Sequence, residues 1–255
     1  MTRVLVLVPF ALDESAIANR RQQTAEVALR PGVVFDYRPV TAGPTAFMSP
    51  HDWALMDIAL FEAGLSAQDD GYEAVVIDTV SDSGADALRS VLDIPVLAPG
   101  RASLLFALSL GRKFGILAQW EPALARYRKV LDEWGLRFHC AAVEHFDTPP
   151  DFAALLGSKA EETLPKMEAA CRRLIDAGAD VICLGSTTMH QAHQYLTERL
   201  DVPIVNPGPL SYKLIESFLA LGISHSRRAY PRPLVPKPEM IHTMLAAVRD
   251  ESESV

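Results

Sequence analysis

Residues 178–186 read Gly-Ala-Asp-Val-Ile-Cys-Leu-Gly-Ser and run on through Thr187-Thr188-Met189-His190-Gln191-Ala192-His193. An apolar run of this length bounded by glycine is the pattern of a buried parallel strand, and the polar turn after it is where open α/β sheets place ligands. Ser186 therefore falls at a strand's carboxyl end. The pattern also occurs earlier: residues 71–79 read Gly-Tyr-Glu-Ala-Val-Val-Ile-Asp-Thr, so Thr79 stands where Ser186 stands. Downstream, Leu92-Asp93-Ile94-Pro95-Val96-Leu97-Ala98-Pro99-Gly100 is matched by Leu200-Asp201-Val202-Pro203-Ile204-Val205-Asn206-Pro207-Gly208. Upstream, the stretch from Arg3 to Phe10 is matched by that from Lys113 to Trp120. The three offsets agree to within about three residues, which a chance match of one apolar run would not give. The chain holds two copies of one α/β half.

In chain order, a first strand over residues 3–8 leads through the polar loop 11–15 into a helix carrying Asn19, Arg20 and Arg21. A second strand spans 33–39, a Gly/Pro/Ser loop 41–50, and a long amphipathic helix runs from His51 to about Ala67. Strand 74–78 opens the first turn, Thr79-Val80-Ser81-Asp82-Ser83-Gly84, and another helix follows. Residues 100–111 predict the helix that crosses into the second half. There the alternation repeats as strand 114–118, helix 121–134, strand 137–143, helix 159–177, strand 180–185 and a last strand at 203–205. Residues 146–157, with Pro149-Pro150, form the loose connection. Pro207 and Pro209 close the second half, and helix 210–221 packs back on the first. Pro231, Pro233, Pro236 and Pro238 keep residues 227–238 out of helix and central strand, so this tail wraps along the surface or reaches over the site, and residues 250–255 fray. The predicted fold class is α/β: two pseudo-symmetric lobes, each a parallel sheet flanked by helices. Residues 1–98 plus 208–255 form the first lobe and 99–207 the second, with the active site in the cleft between them.

Composition narrows the function. At 255 residues and 49% hydrophobic content the chain can bury a full core, and a net charge of −8 without any Lys/Arg-rich run argues against a nucleic-acid surface. Cys140, Cys171 and Cys183 have neither metal-type nor disulfide-framework spacing, which points to a reducing, cytoplasmic compartment. The N-terminus enters a strand at once, with no pattern of a signal peptide or membrane span. The expected partner is a small-molecule substrate, bound by a homo-oligomer without cofactor or metal.

Both repeated turns lie where a strand hands over to a helix. Their backbone N–H groups and the hydroxyls of Thr79, Ser81, Ser186, Thr187 and Thr188 can converge there on a carboxylate or an enolate-like oxygen. The alternative is N-capping, which favours Ser, Thr and Asp whatever the function. The acid/base candidates are Asp13, Asp82, His51, His190, His193 and His225. On a helix beginning at Ser186, His190 would face the same way as the serine, either activating it or acting directly as base; otherwise it is a helix histidine with no role. His190 and His193 share one face, but a third metal ligand is missing. Cys183, within the strand, is read as an ordinary core thiol.

The two units, VVIDTVSDSGADALRSVLDIPV at 75–96 and VICLGSTTMHQAHQYLTERLDVPIVNPG at 181–208, resemble the aspartate/glutamate/hydantoin racemase superfamily, nearest its hydantoin and allantoin racemase branch. The segment Leu221-Gly222-Ile223-Ser224-His225-Ser226-Arg227-Arg228 is similar to that branch's closing segment, so the resemblance covers essentially the whole chain. It implies two facing lobes with a cysteine at the end of each repeated strand, one thiolate removing a proton from the substrate carbon and the opposite thiol delivering one. Those positions are Thr79 and Ser186 here. A thiol of pKa about 8.5 ionises readily near neutrality, whereas an aliphatic hydroxyl needs an adjacent base, so the implied chemistry is not the two-cysteine one.

The resemblance also places Asp82 where an acidic residue either orients the ligand or caps the next helix, and Gln119 against the ligand. Pro9 and Phe10 occupy the matching turn of the first half, Phe10 giving an apolar wall that suits a ring or alkyl group. Three function classes follow. The resemblance favours an isomerase acting on a hydantoin-type ring or a small carboxylate such as an amino acid. A hydrolase or lyase on the same scaffold, cleaving a ring or C–X bond or decarboxylating, is second, and a small-ligand binder without turnover is third.

Overall fold

The computed structural model describes residues 1–45, 47–149 and 160–252, with side chains as far as residue 246. Its first stretch alternates strand and helix: β1 (Thr2–Val8), α1 (Glu14–Arg21), β2 (Val33–Pro39), α2 (Pro50–Gly64), β3 (Ala74–Ile77), α3 (Ala85–Val91) and β4 (Val96–Leu97). The helix starts follow from local chemistry. Asp13 caps α1 by accepting from the Ala16 N–H at 2.8 Å. Ser49 and Asp52 form a reciprocal capping box on α2, with Pro50 in the first turn, where its missing N–H costs nothing. The four strands form one parallel sheet in the order β2-β1-β3-β4. Val4 to Val8 are all buried, as expected of a central parallel strand. Leu5, Leu7, Val75 and Ile77 pack with Met56 and Leu60 of α2 and Leu88 of α3.

The next stretch repeats the plan with α4 (Pro99–Ala107), β5 (Phe114–Ala118), α5 (Leu124–Glu133), β6 (Cys140–His145), α6 (Ala160–Asp176), β7 (Val181–Leu184), α7 (Ala192–Thr197) and β8 (Ile204–Val205). Its sheet is again parallel, in the order β6-β5-β7-β8. Leu117, Ile182 and Leu184 pack with Met167, Leu174 and Leu196. On another cluster Ile116, Val181 and Cys183 meet Leu104, Leu131 and Val205. The chain ends with α8 (Pro207–Leu221) and α9 (Pro238–Ser252). It divides into two compact units, Met1–Ala98 with Ser211–Val255, and Pro99–Leu210.

Register makes the repeat concrete. Leu7 pairs with Ile77 in one sheet and Leu117 with Leu184 in the other. One residue on, the Asp78 N–H donates to the Leu7 carbonyl at 2.8 Å and the Gly185 N–H to the Leu117 carbonyl at 2.9 Å. Asp78 thus matches Gly185, and Thr79 matches Ser186.

The structure corrects several expected boundaries. Residues 137–139 form a 3-10 turn rather than the start of a strand, because Arg137 folds back onto Asp132 at 2.5 Å and the His139 N–H bonds the Leu136 carbonyl; β6 begins only at Cys140. The last core helix starts at Pro207, not at 210: prolines fit a first helical turn, so Pro207 and Pro209 open α8 instead of closing the half. The amphipathic helix ends at Gly64. The tail carries a helix through Ser252 where fraying was expected from residue 250. Most of the loose connection, residues 150–157, and the final residues 253–255 lie outside the described residues.

Between α8 and α9 the tail is strapped onto the first unit. Arg227 donates to the Arg89 carbonyl at 2.7 Å and, like Arg232, pairs with Asp93. The His225 ring lies 3.1 Å from the Leu92 carbonyl. Along α9, His242 meets Glu62 of α2 at 2.9 Å.

Candidate functional site

In the first turn the backbone leaves β3 at Asp78 and bends through Asp82, whose φ of 55° is left-handed. The hydroxyls form a chain: Thr79 Oγ1 lies 3.2 Å from Ser81 Oγ, which donates to Ser83 Oγ at 3.0 Å. The N–H groups of Thr79 and Val80 donate to no acceptor among the described residues. Asp82 does not cap α3; that position belongs to Gly84, itself left-handed at φ 73° and without a side-chain cap bond. A β-carbon on Gly84 would lie 3.0 Å from the Phe61 backbone nitrogen, so glycine is required both by conformation and by space. Pro9, buried at the end of the adjacent β1, and Phe10 complete this corner. The Phe10 ring sits edge-on to Phe47 with centroids 6.0 Å apart.

Beneath this turn is a feature the sequence reading overlooked. Asp78 is buried, and its carboxylate accepts from the Arg20 guanidinium at 3.1 Å and from the Gln23 amide at 3.3 Å. Arg20 is equally buried. Nearby Tyr37 donates to Tyr212 at 2.9 Å, and burial pushes both phenols above their ordinary range. The one available signal was an aspartate at the last position of an otherwise apolar buried run, with arginines on the preceding helix.

In the second turn Ser186 is extended, at φ −154° and ψ 145°, and opens a 3-10 turn over Thr187–Met189. The expected continuous helix from the serine is therefore absent; α7 starts only at Ala192. Ser186 Oγ lies 2.7 Å from Thr188 Oγ1 and accepts from the Thr188 N–H at 3.2 Å. Among the described residues neither hydroxyl is bonded to His190, so the arrangement is not a histidine-activated serine. His190 is 2% exposed and Thr187 equally buried. At the end of neighbouring β5, the Gln119 amide donates to the Pro149 carbonyl at 3.2 Å. Tyr127, also missed in the sequence, donates from α5 to the Gly185 carbonyl.

Other acid/base candidates have structural partners. Asp13 is the α1 cap, and the Ala16 N–H followed by the Ser15 hydroxyl holds its carboxyl below the usual range. His51 is exposed beside Asp52. The His193 ring meets the Ile204 carbonyl at 3.2 Å, tying α7 to β8. His225 belongs to the strap. Burial pushes the Cys183 thiol well up, and raises Cys171 to about 12 and Cys140 to about 11.

Comparison with known proteins places the chain. Residues 14–214 match the family model described as Asp/Glu/Hydantoin racemase. A hydantoin racemase of Paenarthrobacter aurescens is 26% identical over 241 residues, 91% of this chain and 97% of that protein. An allantoin racemase from Klebsiella pneumoniae superposes with a TM-score of 0.82 at 26% identity, covering 92% of this chain and 95% of that one. Glutamate racemase isoform RacE1 from Bacillus anthracis shares the fold at 16% identity and a TM-score of 0.61, over 87% of this chain and 82% of its own. Among the described residues no helix is long and apolar enough to cross a membrane.

Proposed function

The chain belongs to the Asp/Glu/hydantoin racemase family, an isomerase of the racemase type, and from that premise we propose that it inverts the C5 centre of a 5-substituted hydantoin or a closely related cyclic amide. The observation that carries this reading is the pair of equivalent turns, each offering a strand-end hydroxyl and an undonated N–H beside it: Thr79 with Val80, and Ser186. The names of the relatives support the substrate class, since hydantoin and allantoin share one ring. In such a ring the carbanion at C5 is delocalised onto the neighbouring carbonyl as an enolate, so backbone donors aimed at that oxygen stabilise the transition state more than the ground state.

Ser186 and Thr79 act as donors and relays rather than as resting bases, because an aliphatic hydroxyl is not ionised near neutrality. The hydroxyl pair Ser186–Thr188 and the chain Thr79–Ser81–Ser83 supply the relays. His190 enters as a base in its own right. Asp82, Gln119 and Thr187 are proposed substrate neighbours, with Pro9 and Phe10 as the apolar wall for the C5 substituent. A cytoplasmic setting is proposed alongside, consistent with three free cysteines. A homo-oligomer is proposed in the same sense, supported by the exposed Leu105, Phe106 and Leu110 around the end of α4.

The test is incubation in heavy water with single enantiomers of 5-benzylhydantoin, 5-methylhydantoin and allantoin. Optical rotation should decay to zero while the recovered material gains deuterium at C5 and keeps its composition. Ring opening, loss of carbon dioxide, or no exchange with any member would sink the reading.

A further inference from the structure

We propose that Tyr127 is a positioning residue for this chemistry: its phenol fixes the Gly185–Ser186 peptide so that the Ser186 N–H is presented to the substrate's carbonyl oxygen. The inference deepens the proposed function and rests on it for the identity of the oxygen. Its geometry lies wholly within the second unit.

Both polar groups of Gly185 are taken. Its N–H donates to the Leu117 carbonyl at 2.9 Å, and its carbonyl accepts from Tyr127 Oη. A trans peptide is planar, with C=O and the following N–H pointing in opposite directions. Anchoring the Gly185 carbonyl on Tyr127 therefore turns the Ser186 N–H away from α5. Among the described residues that N–H donates to no acceptor, while the Ser186 hydroxyl is turned toward Thr188. The half-exposed Ser186 thus offers an aligned donor of the kind that a developing oxyanion needs.

The surroundings are built for this bond. A β-carbon at position 185 would lie 2.5 Å from the Leu117 carbonyl oxygen and 2.6 Å from Tyr127 Oη, so the phenol fills the space a side chain would need. Burial raises the Tyr127 phenol, which keeps it protonated and donating throughout the working pH range. The equivalent place in the first unit, Asp78, is held by Arg20 and Gln23 through its side chain instead. The two halves thus tether the residue before the hydroxyl by different means.

The test is Tyr127→Phe, which keeps the ring and removes only the donor. Labelling glycine with ¹³C′ and serine with ¹⁵N selects the two Gly-Ser pairs of the sequence, Gly157-Ser158 and Gly185-Ser186, in a carbonyl-amide correlation spectrum. Ser158→Ala assigns the second by elimination. In Y127F the Gly185 carbonyl should move upfield and the Ser186 amide should shift, with an unchanged circular dichroism spectrum. In the heavy-water assay with 5-benzylhydantoin, kcat should fall about tenfold, the worth of one aligned hydrogen bond, with KM changed by no more than about twofold. Unchanged Gly185 and Ser186 resonances would overturn the proposal, as would a lowered melting temperature with kcat intact. If the wild-type enzyme exchanges none of the hydantoins, the functional reading fails, and the resonances alone decide the clamp.

Discussion

The buried pair beneath the first turn supports a quantitative prediction. Arg20 and Asp78 have side-chain exposures of 4% and 1% and meet at 3.1 Å. Substituting Arg20→Met takes the guanidinium away from the buried Asp78 carboxylate and leaves the Gln23 amide at 3.3 Å in place. Breaking a buried pair from one side typically costs about 3–5 kcal/mol, because the remaining charge keeps its desolvation cost and loses its counter-charge. Asp78→Leu, which removes the counter-charge from the buried guanidinium, should cost a similar amount. The double variant removes both charges and fills the space with apolar atoms, so it should lie within about 1 kcal/mol of the wild type, as buried pairs replaced by hydrophobic residues often do. The coupling between the two sites is then about 5 kcal/mol or more, above the range in which distant sites simply add. Urea unfolding followed by circular dichroism measures all four proteins, provided their m-values agree. A single substitution costing under about 1 kcal/mol, or a double variant as damaged as the sum of the singles, would refute the picture of a desolvated ion pair.

Further expectations concern chemistry and pH. Ser186→Ala should lower turnover about a hundredfold in steady-state kinetics, the scale of a lost proton relay, while Thr79→Ala mainly raises KM; the reverse order would refute this assignment of roles, and equal large losses at both positions would favour a symmetric two-base isomerase. Native treatment with iodoacetamide should leave activity intact and Cys171 and Cys183 unmodified by mass spectrometry, since burial raises both thiols; inactivation traced to Cys183 would return a thiol to the mechanism. Burial first, then the Arg227 charge, holds His225 below its ordinary value, so the unfolded chain takes up this proton before the folded one does. The strap's contribution should be full above about pH 6.5 and decline as pH falls below it. A comparison of unfolding midpoints at pH 5 and 8 should show a smaller difference in His225→Gln.

Most of the architecture could be read from repeated apolar runs, because a strand buried on both faces leaves little choice of residue type. The register equivalence of Thr79 and Ser186 follows from that constraint. What escaped was polar and long-range. Arg20 and Gln23 lie 58 and 55 residues from Asp78, and nothing local shows that α1 carries a guanidinium to the end of β3. Tyr127 fell unremarked within helix 121–134, since a single hydrogen bond to a backbone carbonyl leaves no periodic trace. His190 was misplaced relative to Ser186 for a related reason: Thr187–Met189 adopt a 3-10 turn, stabilised by Ser186 as its cap, and a spacing of four residues no longer means one face. Proline misled twice, at Pro207 and at Pro238, where it starts helices instead of stopping them.

The discontinuity of the first unit matters during synthesis. Its opening ninety-eight residues leave the ribosome long before Ser211–Val255, and an entire second unit is made in between. Over that interval β2, an edge strand, lacks the Tyr212 ring that finally sits 5.0 Å from Phe35 and the phenol that accepts from Tyr37. Glu216, which accepts from the Arg30 N–H at 2.5 Å, arrives equally late. A nascent chain therefore carries an uncovered aromatic edge for about ten seconds or more at ordinary elongation rates, the window in which chaperones act on such surfaces. A chain ended at Leu210 should display this edge permanently, binding a hydrophobic dye that the full-length protein ignores.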